Sequence, residues 1–142
     1  MNRLPAAGFA RRIAAALYDT LLLAALMMLV TFVVAVRGQA LPPGNLVHRL
    51  ILLGTAAVFF GAFWKHGGQT LGMRTWRLRV ELLSGADVDW PVALLRFAAA
   101  LLSLATVGLG FLWILVDPEK LAWHDRIAGT RVVVLPKEQA DG

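Results

Sequence analysis

The stretch GFARRIAAALYDTLLLAALMMLVTFVVAV, residues 8–36, decides the fold of this chain. A hydrocarbon core of about 30 Å needs about 20 apolar residues of α-helix, and the run from Ile13 to Val36 exceeds that. Its one charged residue is Asp19. Working outward, Leu46 to Trp64 and Val92 to Val116 form two further apolar segments. Composition agrees: 58% of the 142 residues are hydrophobic and 16% charged, with a mean hydropathy of +0.67, which is the profile of a membrane protein and not of a soluble domain. The connecting pieces are too short for a second folded unit, so one membrane domain is expected over residues 7–135, with short polar termini at 1–6 and 136–142. The first apolar run is longer than a secretory h-region and lacks a nearby small-residue cleavage site, so it is expected to stay as a span. The chain has no cysteine, which excludes disulfides and thiol chemistry.

The basic residues lie beside the apolar segments and read as topology signals, not as a nucleic-acid footprint. Arg3, Arg11 and Arg12 precede the first segment, and Lys65, Arg74, Arg77 and Arg79 lie between the second and third. The positive-inside bias therefore predicts a cytoplasmic N-terminus and a cytoplasmic middle segment. In residues 75–82, Trp76, Leu78, Val80 and Leu82 alternate with Arg77, Arg79 and Glu81, a period of two that predicts a half-buried strand. Residues 130–135, TRVVVL, are a second β-branched run. A lone strand is marginal, and these two can pair only on one side of the membrane. The third apolar segment is then re-entrant or broken near Ser103, Thr106, Gly108 and Gly110, against a plain third span that would place the tail outside. The expected fold class is thus all-α integral membrane, with two to three transmembrane helices, a re-entrant third segment and a short cytoplasmic β-hairpin-like pairing.

Asp19 follows Arg12 by seven positions, which returns to nearly the same helix face about 10 Å deeper. A carboxylate at that depth costs about 2.5 to 3.5 kcal/mol on insertion scales, which the leucines around it offset. Ala15, and the stripe Ala16, Thr20, Ala24, predict close approach by another helix, so Asp19 is expected to face protein. Three readings stand open: an anion paired with an arginine to fix register, an ion or proton site, and a neutral acid donating one bond.

In the tail, His124 and Asp125 are adjacent and so do not form a relay by themselves. Asp125 is expected to accept from an arginine or from backbone donors near the Ala128 to Thr130 turn, where Gly129 permits a positive φ. His48, His66 and His124 have no metal-ligand spacing, and no metal or other cofactor is expected. Gly67, Gly68 and Gly72 lie in HGGQTLGMR, residues 66–74, which lacks the lysine of a phosphate-binding loop and reads as a turn at the membrane surface. The five tryptophans, Trp64, Trp76, Trp90, Trp113 and Trp123, are expected to be interface anchors. No nucleophile and base pair, paired carboxylates or metal cluster points to an enzyme.

Taken together, three motifs resemble the RDD family of membrane proteins: Gly8, Phe9, Arg12, Ala15 and Asp19; then Gly68, Thr70 and Gly72 before a strand; then His124 to Thr130. By position, the arginine and two aspartates that name the family correspond to Arg12, Asp19 and Asp125, with Arg11 a competing choice disfavoured by the spacing. Gly68, Thr70, Gly72, His124 and Thr130 are the supporting positions. The resemblance implies transport as an expectation, including sodium–proton exchange as in some members, but a shared fold does not by itself carry a function. Three apolar segments can hardly enclose a pathway, so a transporter of this size is expected to act as a homo-oligomer or with a membrane protein partner, on a proton or a monovalent cation. Ala16, Thr20 and Ala24 with Ala57 and Gly61 are the expected faces. The alternative is a non-catalytic scaffold or assembly factor in which Arg12, Asp19 and Asp125 form one buried charge network. The expected location is a bacterial inner membrane, with the bilayer as the first partner.

Overall fold

The computed structural model describes residues 3–38, 41–42, 44–106 and 108–140. Helix α1 runs from Phe9 to Val36 and helix α2 from Leu46 to Lys65, and both are long and apolar enough to cross a membrane. At 1.5 Å per residue α1 is about 42 Å long, more than the hydrocarbon core requires. Its buried residues are Arg12, Ala15 and Asp19, a single stripe near its N-terminal end. Farther along, Leu21, Met28, Leu29 and Phe32 are exposed, as a lipid-facing helix demands. Asn45 caps α2, its side chain accepting from the backbone N–H of Val47 and of His48.

Helix α3 (Leu71–Thr75) and strand β1 (Leu78–Leu82) follow, then helix α4 (Trp90–Ala105), capped by Asp89, whose side chain accepts from Val92 N–H. Helix α4 packs on α2 through Phe60 and Phe97, whose ring centroids are 6.3 Å apart. Gly61 permits this approach, since a Cβ there would lie 3.0 Å from the Trp90 ring. Helix α5 (Leu109–Leu112) continues as a short 3-10 turn, Trp113–Leu115. Between α4 and this piece the axis turns by 103°. Gly110 closes against Ser103, where an added Cβ would be 2.2 Å from Ser103 Oγ. The third apolar segment is therefore a broken helix, with its bend where glycine and hydroxyl residues weaken helix continuity.

Helix α6 (Trp123–Ala128), strand β2 (Thr130–Val134) and helix α7 (Lys137–Ala140) complete the chain. Strands β1 and β2 pair antiparallel, with Leu78 opposite Val134 and Leu82 opposite Thr130. The expected pairing is present, so the chain entering α4 and the chain leaving α6 lie on the same side. The N-terminus adds to the other edge of β2: Ala7 N–H donates to Val132 C=O and Val134 N–H to Pro5 C=O. Pro5 and Ala6 thus belong to the folded unit, although the sequence reads as a polar tail there.

Three other expectations are corrected. Strict alternation fails at Glu81, which is buried because Arg131 sits directly across the ladder and donates to it from Nε at 2.8 Å and Nη2 at 2.5 Å; Trp76 lies outside the strand and is exposed. Trp64 is not an interface anchor but a buried ring with the Arg96 guanidinium 4.9 Å over its centroid. In the stripe Ala16, Thr20, Ala24, the last two are exposed and Thr20 returns its hydroxyl to Ala16 C=O, while Gly61 of the second stripe is used inside the chain against α4. The close approach at Asp19 comes through Ala15 instead.

Candidate functional site

Two clusters of polar groups meet α1 on its one buried stripe. At Asp19 the partner is the turn into α3. Thr70 caps that helix, its hydroxyl accepting from Met73 N–H at 3.2 Å while donating to Asp19 Oδ2. Gly72 N–H donates to Asp19 Oδ1 at 2.8 Å. Each oxygen of a carboxylate 4% exposed thus has a donor, which is what makes its burial tolerable.

The glycines explain how the turn comes so close. A Cβ on Gly72 would lie 2.3 Å from Ala15 C=O, so only glycine lets the backbone reach α1. Gly68 has φ +71°, and a Cβ there would meet Val80 C=O at 2.4 Å; its own carbonyl accepts from Val80 N–H at 2.7 Å. Gly68, Thr70 and Gly72 therefore fold the turn over β1 and clamp it onto Asp19. The sequence reading of a surface turn is right about its shape but silent about what it grips.

The second cluster is centred on Asp125, fully buried in α6. Its Oδ2 accepts from Arg12 Nη1 at 2.8 Å and from Ala122 N–H at 2.9 Å, while Oδ1 accepts from Arg96 Nη1. The backbone donor is thus Ala122 at the start of α6, not the Ala128 to Thr130 turn. Thr130 accepts from Arg96 Nη1 at 2.7 Å. Arg12 also reaches Lys120 C=O at 3.4 Å, and Lys120 adopts a left-handed φ of 54°. His124 Nε2 lies 3.4 Å from Arg12 Nη2 and 3.9 Å from Asp125 Oδ1, so it accepts from the arginine and forms no relay with the aspartate.

Burial raises the proton affinity of the Asp125 carboxyl, but Arg96, then Arg12, outweigh it and hold the group well below the usual carboxylate range. Burial acts on His124 in the other sense: together with Arg96 and against Asp125, it pushes the imidazole down to about 3, so the ring is neutral.

The structure therefore brings Arg12 to Asp125 and Asp19 to Thr70 and Gly72. No arginine bonds Asp19 among the described residues, which rules out the simple pairing of Asp19 with a cation. Sequence reasoning missed Arg96, which is 3% exposed and holds Asp125, Thr130 and the Trp64 face at once. Its signal was the single charge in the run Val92 to Val116, which needed a partner for the same reason that Asp19 did.

Arg12, Asp19, Thr70, Arg96 and His124 line one end of a cavity of about 690 Å³ between α1, α2 and α4. Leu23, Met27, Leu52, Phe60 and Leu101 make its apolar walls, and Arg49 lies on its rim.

Two apolar spanning helices, a broken third segment and a polar cluster tied to a small two-stranded sheet define a polytopic membrane protein. Its sequence matches the RDD family model over residues 6–129, and the chain belongs to that family. Compared against curated proteins and against solved structures, it finds no match.

Proposed function

We propose that this RDD-family protein is a small transporter, moving a solute through the cavity between α1, α2 and α4 with Asp19 as the group that exchanges a proton or monovalent cation. The observation that carries this reading is the position of Asp19 on the wall of a 690 Å³ cavity, in company with Arg96 and Arg12. Intramembrane acids usually face a bundle interior or a pathway, and a cavity of this size lies within the range of about 300 to 1,000 Å³ that small-molecule sites occupy. The chain acts as a homo-oligomer or with a membrane partner, because three apolar segments can hardly enclose a pathway by themselves. The setting is a bacterial inner membrane with the N-terminus cytoplasmic, as the basic flanks favour.

The test is Asp19→Asn in reconstituted vesicles under pH and sodium gradients. An asparagine can still accept from Gly72 N–H and can donate to the Thr70 hydroxyl, so the clamp survives while the exchangeable carboxyl is lost. Coupled flux should vanish at unchanged folded yield. Wild-type vesicles that pass no more cation or proton than empty ones would remove the ion-coupled reading.

A second reading, a non-catalytic scaffold, is favoured by one observation: Asp125 is saturated by Arg12, Arg96 and Ala122 N–H and is fully buried. Such a network holds structure and offers no free group for chemistry. Under that reading Asp19→Asn leaves every function of the cell intact so long as the protein folds.

A further inference from the structure

Most cations around the small sheet are matched by an acid. Arg12 and Arg96 share Asp125, Arg126 bonds Asp117, Arg131 bonds Glu81, and Arg79 bonds Asp87. Arg11, Arg74 and Arg77 differ: none of them makes an ion pair among the described residues. Residues 3–18 and 65–80, which hold these three, contain no aspartate or glutamate to answer them. The positive excess is therefore local to the start of α1 and to α3.

The fold places these charges beside one another. Gly72 of α3 seats on Ala15 of α1, and Arg11 and Tyr18 lie four positions before and three after Ala15, so they border that contact on the same helix face. Helix α3 buries Gly72 and Met73 and exposes Leu71, Arg74 and Trp76. Arg77 N–H donates to Arg74 C=O at 3.2 Å, and Arg77 C=O accepts from Leu135 N–H at 2.7 Å, which fixes the end of α3 to the sheet. Arg77 holds a left-handed φ of 56°, uncommon for a residue with a side chain. The result is a face of arginines with an exposed tryptophan, leucine and tyrosine among them, at the end of the first span. Tyr18 lies seven positions past Arg11, about 10 Å deeper along α1, and Leu17 and Leu21 beside it are exposed.

Charge and depth together select a ligand. Guanidinium groups match phosphate oxygens in a fork geometry, basic clusters beside a span attract anionic lipid, and tryptophan and tyrosine favour the headgroup level. A free anion would use the arginines and leave the apolar residues without a role. We propose that this face binds an anionic glycerophospholipid of the surrounding bilayer, its phosphate on Arg11 and Arg74 with Arg77 adding charge, its headgroup level with Trp76 and its acyl chains along Leu17, Tyr18 and Leu21. The face is separate from the cavity lining and does not rest on the transport reading.

The experiment places the full chain in nanodiscs of equal parts phosphatidylglycerol and phosphatidylcholine and identifies, by native mass spectrometry, the lipid that the released protein retains. A basic side chain at such a surface is worth about fivefold in affinity, so the wild type should favour phosphatidylglycerol by about tenfold or more. Arg11→Gln with Arg74→Gln should abolish the preference at an unchanged thermal midpoint, since neither side chain has an ion-pair partner to lose, and Arg11→Lys with Arg74→Lys should keep most of it. Arg37→Gln, at the far end of α1, and Lys137→Gln, in α7, should leave it intact. In the wild type, phosphatidylglycerol with a photoreactive headgroup should label residues 8–18 and 71–77. Equal retention of the two lipids overturns the proposal, as does a preference that survives the double glutamine change or that Arg37→Gln and Lys137→Gln remove equally. Headgroup label confined to other residues overturns it even where a variant fails to fold. Displacement of the lipid by inorganic phosphate, but not by sodium chloride of equal ionic strength, would make this a free-anion site and overturn it as well.

Discussion

Arg96 of α4 and Asp125 of α6 form a buried ion pair that fastens the broken third segment to the small sheet. Arg12 of α1 bonds the other oxygen of the same carboxylate at 2.8 Å. One aspartate therefore joins the first span, the bent helix and the strand-bearing tail, and Thr130, bonded to Arg96 at 2.7 Å, begins β2 itself. Removing the shared carboxylate leaves two buried guanidiniums uncompensated, which is costlier than the pairing is worth.

Arg12→Ala and Arg96→Ala should each lower stability, by less than the about 3 to 5 kcal/mol of an unpaired buried ion because the other arginine still bonds Asp125, and Asp125→Ala should cost more, because it leaves the two guanidiniums facing each other without their anion. The double change Arg12→Ala, Asp125→Ala should cost clearly less than the sum. Arg12→Ala with Asp19→Ala should instead add to within about 0.5 kcal/mol, since these two are about 10 Å apart along α1 and share no bond. Folded fraction in detergent across a denaturation series measures both cycles. Strong coupling in the second would restore the single three-charge network that the sequence suggested.

Gly72→Ala should release the α3 turn from α1. The new methyl would sit 2.3 Å from Ala15 C=O and 2.9 Å from Asp19 Oδ1, so backbone has to move, at a cost of about 1 to 3 kcal/mol. Gly54→Ala, in the middle of α2 with nothing within 4 Å, is the control and should not lower the midpoint. Thermal midpoints of the two variants decide the matter; equal midpoints would mean that the turn does not seat on α1.

His124 sets a pH dependence with a definite sign. Its folded pKa is depressed from 6.5 to about 3, so between those values the unfolded chain takes up a proton that the folded chain refuses. Stability is then full above about pH 6.5 and declines as pH falls, by at most about 1.4 kcal/mol per pH unit. Asp125, also depressed, adds its own loss only in the acid range below the ordinary carboxylate value of 3.8. Unfolding midpoints between pH 7.5 and 4.5 should fall for the wild type and fall less for His124→Gln. An equal slope in both would show that the ring is not held neutral.

The fold was legible where one residue type answers one local demand. Long apolar runs gave α1 and α2, and the period of two with a β-branched run gave the β1–β2 pairing and so the return of the chain. The site was legible only by half. Arg12, Asp19 and Asp125 stand out as charges that an apolar setting must explain, but which donor meets which acceptor is a tertiary fact. Thr70 and Gly72 lie more than fifty positions from Asp19, and no periodicity announces that a turn will fold back onto α1. Trp64 misled because a tryptophan at the end of an apolar segment has two uses, and only the Arg96 guanidinium over its face tells them apart.

Topology is the prediction that bears on everything else, and the absence of native cysteine makes it clean to test. Because β1 and β2 are bonded along their length, a cysteine placed at Ser84, just past β1, and one at Gln139, just past β2, must report the same side. Pro42, between α1 and α2, lies across at least one full span and must report the other. With the basic flanks inside, an impermeant thiol reagent added to intact cells should label Pro42→Cys only, and Ser84→Cys and Gln139→Cys only after permeabilisation. If all three patterns invert, the pairing stands and the orientation is reversed, which would carry the polar end of the cavity to the outer face. If Gln139→Cys alone labels from outside, the two strands cannot be partners in the membrane, and the broken segment from Val92 to Val116 is a full span after all.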